Sequence, residues 1–570
     1  MTNSLQNINS PKTQFKTIFA GYVYPVIPLF GLIILSGLIL VHTLHMGAAF
    51  STPEKILYLC FILIAAIFIM GGLWARTNIG VRVIAREIKL TEESILETRQ
   101  NLQFKILESL LVVGVFISIF LFSLDTKIGV YNLDAARYFN DTPGYVQASS
   151  YPLSDPNFWV GQRPFTVPLF YKMVGYTLQN YTNQGEMEQV GRIQLLISIV
   201  TWTLLALSIC FLMKKWALRF LAFAVVLMMG ASLYITMWDR LMLSDSLSIS
   251  LFVLFLACLI FAAMIWGIIN GLAIWLRVLL VISLIVITVL FSFTRDPNAG
   301  FLLSHGALML LGFLFPFIRR HKFLVEYAII MVLFFATFII QNTMINKTAR
   351  YVTSLQHVII YRFIPVQEKL SFLLKKGMPF DPRFLSYPGL NIRQSREQLL
   401  IDDPAGLLNT WIADHGKQVL YTYMLTHPGY AFLEPIAEIQ SLINGNVADY
   451  RNILSPTPLR LSILTGIFYP EFSILPIIFL IFFGTSIFLA FKTHFSVFSV
   501  IFILVLFITA VPFLLLVWHS DSNDITRHAL QAAIQLRLAC WLCLLLVAEN
   551  LWVYLDKKFV LSLPQDRGRG

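Results

Sequence analysis

Apolar residues along this chain gather into long runs, separated by short polar stretches in which Lys and Arg recur. A run of about 20 apolar residues matches the roughly 30 Å hydrocarbon core of a bilayer when it is wound as a helix. Such runs lie near residues 18–43, 54–75, 105–124, 193–213, 216–237 and 246–268. Six more lie near 272–294, 298–318, 323–342, 472–491, 496–518 and 529–554. The pattern therefore predicts an all-α polytopic membrane protein with about twelve transmembrane helices. The run at 298–318 is the most interrupted, by Pro297, Gly300 and His305.

Two intervening segments are too long to be turns, 125–192 and 343–471, and the second is large enough for a small helical domain. Within it Leu355, Val358, Ile359 and Phe363 recur at helical spacing, which predicts an amphipathic helix lying on or near the membrane surface. The stretch from Val81 to Gln103 reads as one or two amphipathic helices, with Thr91, Glu92 and Glu93 at a helix start. Four parts follow: a two-helix addition with its connector at 1–104, a transmembrane core at 105–342, a mainly helical segment at 343–471, and terminal helices with a tail at 472–570. No internal repeat of the transporter kind is visible.

Charge placement orients these spans. With the N-terminus inside, the inside segments collect Lys12, Lys16, Arg76, Arg82, Arg86, Lys89, Lys214, Lys215, Arg319, Arg320, Lys557 and Lys558, whereas the short outside turns hold single cations such as Lys55 and Arg240. Both termini are thus expected on the cytoplasmic face of a plasma membrane, with a bacterial inner membrane favoured over the endoplasmic reticulum. The polar start from Met1 to Lys16 and the long run after it do not fit a cleavable signal peptide. Asn140, Asn180 and Asn346 head Asn-x-Ser/Thr triplets, which arise too often by chance to decide the membrane.

Composition agrees. Of 570 residues 57% are hydrophobic and 13% charged, with 48 Phe, and the mean hydropathy is +0.73. That much apolar surface exceeds what a water-soluble core hides. The net charge of +11 is topological in such a chain, and no nucleic-acid partner is expected. Cys60, Cys210, Cys258, Cys540 and Cys543 all fall in apolar stretches and read as small buried hydrophobes, the CxxC at Cys540 and Cys543 included.

The polar residues that remain cluster on the face away from the N-terminus. Asp134-Ala-Ala-Arg-Tyr138 and Asn140-Asp141-Thr-Pro-Gly-Tyr145 follow the 105–124 run, and Arg163-Pro164 and Pro168-Leu-Phe-Tyr171 come later in the same loop. Asp245-Ser246 opens a helix, where N-capping is the competing reading. Thr294-Arg295-Asp296-Pro297 sets a guanidinium at a helix start, a position suited to phosphate. His519-Ser-Asp521-Ser-Asn-Asp524-Ile-Thr-Arg527-His528 sits between the last two helices, where Arg527 pairing with Asp524 is the simpler reading. Together the carboxylates Asp141 and Asp245 and the cations Arg295, Arg527 and His528 suit a cavity in which a carboxylate acts as base while cations hold a lipid phosphate.

In these motifs and their order the chain resembles the GT-C superfamily of polyprenyl- or dolichyl-phosphate-sugar-dependent membrane glycosyltransferases, of the protein O-mannosyltransferase and lipid A aminoarabinose transferase type. The resemblance runs over residues about 105–554, through Asp141 and Tyr145, Arg163-Pro164, Leu243-Ser-Asp245-Ser, Phe293-Thr-Arg295-Asp, His427-Pro-Gly-Tyr430 and Arg527-His528. It departs in carrying Asp245 where Glu is commoner, and in offering two Asp-Tyr pairs, which leaves Asp134 and Asp141 both open as the base. The resemblance implies a GT-C-like bundle with two long extracytoplasmic loops. It implies inverting transfer of a sugar from a polyprenyl-phosphate donor to a hydroxyl of a glycan, lipid or protein. Asp141 or Asp134 would be the base, Arg295, Arg527 and His528 would hold the donor phosphate, and Tyr145, Arg163 and Asp245 would position substrate. No metal or other cofactor is expected. Competing readings are a transporter or flippase of a lipid-linked sugar, a polymerase or ligase using a lipid-diphosphate oligosaccharide, and a non-enzymatic scaffold.

Overall fold

A computed structural model describes residues 92–268, 274–313, 324–389, 392–444, 458–490, 497–522 and 525–562. The chain divides into two compact units, Met1–Leu121 and Phe122–Gly570. Of the first, the described part is helical, and the expected spans at 18–43 and 54–75 lie outside the described residues. In the second unit helices dominate, and the one β-type contact among the described residues is an isolated parallel bridge between Arg137 and Leu241.

Seven described helices are long and apolar enough to cross a membrane: Val112–Tyr131, Gln184–Cys210, Asp245–Ala262, Leu324–Lys347, Leu459–Thr485, Ile503–Ser520 and Leu530–Val553. The protein is membrane-embedded and all-helical. A further apolar pair, Trp216–Gly230 and Leu233–Arg240, is bent by 49°, as a broken span or a re-entrant loop is. The bend falls where a Cβ on Gly230 would come within 2.5 Å of the Trp202 ring, so glycine lets the helix Trp216–Gly230 approach the helix Gln184–Cys210 this closely. The expected 272–294 crossing appears as the shorter apolar helix Arg277–Ser292. The 298–318 run becomes the helix Pro297–Gly312, begun by its proline. There Gly300 faces Leu516 closely and the His305 ring packs 4.2 Å from Phe301.

An aromatic core joins these helices, with Phe252, Phe255, Phe291 and Phe301 buried and Phe301 meeting Phe513 edge to face. Such pairs add about 0.5–1.5 kcal/mol beyond the area they bury.

Two expectations are corrected in detail. The 105–124 helix continues to Tyr131, past Asp125 and Lys127, because Lys127 is neutralised inside the bundle. Its ammonium lies 3.2 Å from Asp239 and donates to the Gly230 carbonyl at 2.8 Å. The helical stripe Leu355, Val358, Ile359 and Phe363 is buried. It packs inward, with Phe363 against Tyr423 and Tyr430, so this apolar face covers protein rather than membrane.

A buried ion pair broken on one side leaves an uncompensated charge, which costs about 3–5 kcal/mol. Lys127→Met should therefore lower the thermal unfolding midpoint markedly in detergent. The double variant Lys127→Met/Asp239→Leu should recover most of that loss, and equal losses in both variants would show that the pairing is not what holds this helix end.

Candidate functional site

Most of the residues singled out by sequence, Asp141, Tyr145, Arg163, Asp245, Arg295, Arg527 and His528, meet at one end of the bundle. Two strips of backbone first bring the loop after Tyr131 against the turn that leads to Asp245. The Arg137 amide donates to the Arg240 carbonyl at 3.0 Å, and the Met242 amide donates to the Arg137 carbonyl at 2.8 Å. The Thr142 hydroxyl, opening the helix Thr142–Ser150, then donates to the Met242 carbonyl at 2.6 Å. Asp141 thus sits at that helix's N-terminus, a place that favours an anion, yet its side chain makes no capping bond and turns to two guanidiniums instead.

Asp245 is the centre. It is fully buried, at 0% exposure, and one carboxylate oxygen accepts from Arg295 Nη1 at 2.6 Å while the other accepts from Arg527 Nε at 2.8 Å. Arg295 Nη1 also donates to the Arg527 carbonyl at 3.1 Å, tying the two arginine segments together across 232 residues. Arg527 Nη1 reaches Asp141 at 3.4 Å, and Arg163 Nη2 donates to the other Asp141 oxygen at 2.9 Å. The Arg163 guanidinium lies over the Tyr145 ring at 4.8 Å. It is delivered there by the next residues, since Phe165 packs on Phe293 at 4.8 Å and the Thr166 amide donates to the Phe293 carbonyl at 3.1 Å. Gly144 leaves the space this needs, for a Cβ there would stand 2.8 Å from Arg163 Nε.

Electrostatics at Asp141 follow from these contacts. Burial pushes its carboxyl up, but the Arg163 and Arg527 charges and hydrogen bonds outweigh burial and hold it down at about 2. His528 receives Arg295 Nη2 at its Nδ1, 2.7 Å away. A guanidinium only donates, so Nδ1 is the unprotonated nitrogen and the ring is neutral in this arrangement. Burial first, and then the Arg295 and Arg527 charges, lower its pKa from 6.5 to about 4. His528 therefore orients Arg295 rather than adding a cation.

Beyond His528 lies Asp521 of the same polar cluster, and it leads to a side chain that the sequence did not single out, His357. Asp521 lies 3.8 Å from His528 Nε2 and 3.0 Å from His357 Nδ1. His357 belongs to the helix Tyr351–Val358 of the large segment, so that segment is hydrogen-bonded to a carboxylate that stands beside His528 at the edge of the arginine site. A second joint is the ion pair Arg350–Asp296 at 3.1 Å. A lone His on an amphipathic helix gives no sequence signal for either. Beneath the site Ser248 accepts from Asn298 at 2.8 Å and from Gln531 at 2.7 Å, a polar floor for the arginine layer.

Asp134 is placed elsewhere. It bonds Arg137 at 2.8 Å and the Ala135 amide at 2.9 Å within its own loop, whereas Asp141 shares guanidiniums with the Asp245 centre. Asp524, offered by the sequence as the partner of Arg527, lies outside the described residues. Among the described residues no group of three His, Cys, Asp or Glu is arranged to hold a metal. No family model, curated protein or solved structure matches the chain.

The His528 geometry has a consequence for acid stability. The ring stays neutral in both states above about pH 6.5, and below that the unfolded chain takes up a proton that the folded protein refuses until about pH 4. Stability should thus fall as pH drops through this window. His528→Asn, which keeps an acceptor for Arg295 but cannot titrate, should flatten the pH dependence of the unfolding midpoint between pH 6.5 and 4, and an unchanged slope would refute the assignment.

Proposed function

We propose that this membrane protein is a glycosyltransferase that moves a sugar from a polyprenyl-phosphate donor to an acceptor hydroxyl on the extracytoplasmic face. The observation that carries this reading is the meeting of Arg295, Arg527 and Arg163 with Asp141 around the buried Asp245. Three guanidiniums bond two carboxylates there. Fixed cations at a bundle end suit a lipid phosphate entering from the bilayer, because they stabilise the charge that develops on a departing phosphate without reorganising.

In this reading the acceptor oxygen attacks the anomeric carbon and its proton passes to Asp141. The bond from that carbon to the phosphate oxygen breaks, and the electron pair leaves with the lipid phosphate beside Arg295 and Arg527. Asp245 holds these two arginines in place and is a positioning residue. His528 and Tyr145 act the same way, on Arg295 and Arg163.

The depressed pKa of Asp141, about 2, bears on timing. A carboxylate held that low is a weak base near neutral pH. A donor phosphate bound among these fixed guanidiniums adds negative charge beside Asp141 and offsets part of the depression, so donor binding strengthens the base. Asp134, in its own loop pair with Arg137, takes no part in this step.

Reconstituted into vesicles with a polyprenyl-phosphate sugar and an acceptor glycan or lipid, the protein should release polyprenyl phosphate. Asp141→Asn should lower the turnover by about 10²–10⁴, the usual worth of general base catalysis, while Asp134→Asn keeps it. Full turnover in the Asp141 variant would remove it as the base. Passage of the lipid-linked sugar across the vesicle membrane with no phosphate released would make the protein a carrier.

A further inference from the structure

The large segment between the Leu324–Lys347 and Leu459–Thr485 crossings buries its most periodic apolar stripe in protein, yet leaves a different apolar face bare. In the helix Lys417–Thr426, Tyr421 and Leu425 stand one turn apart and both are exposed, Leu425 at 86%. The turns that follow, Gly429–Leu433 and Glu434–Ala437, expose Phe432, Leu433 at 68%, and Ile436. Five large apolar side chains in sixteen residues, all turned outward, are a poor fit to water.

The height of this face in the bilayer is set by what lies behind it. The Ala431 carbonyl accepts from His519 Nε2 at 3.0 Å and Tyr430 packs on Trp518 at 5.2 Å. Trp518 and His519 close the Ile503–Ser520 crossing, so residues 432–436 start at the level where hydrocarbon gives way to headgroups. That same crossing helix exposes Ile508 and Val511 further along its length, apolar positions suited to lipid.

Charge around the face is arranged to match. The two carboxylates of these turns are held to the protein, Glu434 by Lys369 at 2.7 Å and Glu438 by the Trp518 indole at 2.8 Å. On the adjoining helix Gln367–Lys375, whose Phe372 packs on His427 at 5.9 Å, Lys375 and the following Lys376 are exposed at one end, and Glu368 at the other end lies 3.9 Å from His427. An apolar centre with a net cationic rim is the pattern of an element seated at the headgroup boundary, buried about 5–10 Å, where cations meet lipid phosphates.

We infer that the face formed by Tyr421, Leu425, Phe432, Leu433 and Ile436 is a membrane-seated anchor, inserted in the lipid leaflet on the same side as the arginine site. It clamps the large segment at two levels, through lipid below and through His357 and Arg350 at the site. This inference is independent of the sugar chemistry.

The test places a polarity-sensitive fluorophore on a single added cysteine in the full-length protein, at Leu425→Cys or Leu433→Cys, in nanodiscs of phosphatidylethanolamine and phosphatidylglycerol. The signal from the native cysteines is subtracted using the unaltered protein, and Thr182→Cys, on an exposed polar loop, is the control. Both anchor positions should show blue-shifted emission, strong quenching by brominated lipid and little by aqueous iodide, with the control reversed. Iodide quenching at Leu425 and Leu433 equal to the control overturns the inference. Shielding from both quenchers also overturns it, since the face would then be covered by protein, a second copy of the chain or a protein partner.

Discussion

A carboxylate with no exposure to water has to be satisfied by its neighbours, and in this protein Asp245 is that carboxylate. Removing an ionised group from water costs several kcal/mol unless charge and hydrogen bonds repay it. Arg295 and Arg527 do so from segments 50 and 282 residues away. Three helix ends are thereby fixed relative to one another, those at Asp245, at Pro297 and at Leu530. The loops above them take their positions from this layer: the Asp141 turn through Arg527 and the Arg163 loop through Asp141, while the large segment reaches its neighbourhood through Arg350 on Asp296 and His357 on Asp521.

The same layer explains why its members differ in character. Asp245 is enclosed and holds two cations, which suits a permanent structural role. Asp141 is partly open, at the edge of the cluster, and its guanidiniums are the ones a new anion could engage. His528 is neutral because Arg295 uses its one acceptor. A histidine beside two arginines reads from sequence as a third cation, but in the folded protein burial, and then the neighbouring positive charge, keeps it unprotonated.

Long periodic features were legible in the sequence, and local polar detail was less so. The apolar runs at 193–213, 323–342, 496–518 and 529–554 each correspond to a crossing helix, since run length against bilayer thickness is a one-dimensional property. The end of the helix reaching Tyr131 was not legible, because Lys127 looks like a loop residue until Asp239, from a distant turn, neutralises it. Leu355, Val358, Ile359 and Phe363 revealed a helix but not what covers it. Periodicity reports that an apolar face exists and is silent about whether protein or lipid meets it.

The candidate site divides along the same line. By itself the sequence determined a helical membrane protein and listed Asp134, Asp141, Tyr145, Arg163, Asp245, Arg295, Arg527 and His528 as polar residues in loops and at helix ends, because charge amid apolar runs is visible without a fold. Only the tertiary structure decided that Asp245 binds both arginines, that Asp141 and not Asp134 shares their charge, and that His357 and Asp521 extend the network. Those outcomes rest on contacts a few ångströms long between residues as much as 386 positions apart. Coulomb and hydrogen-bond energies depend on distance in space, which the order of residues along a chain does not contain.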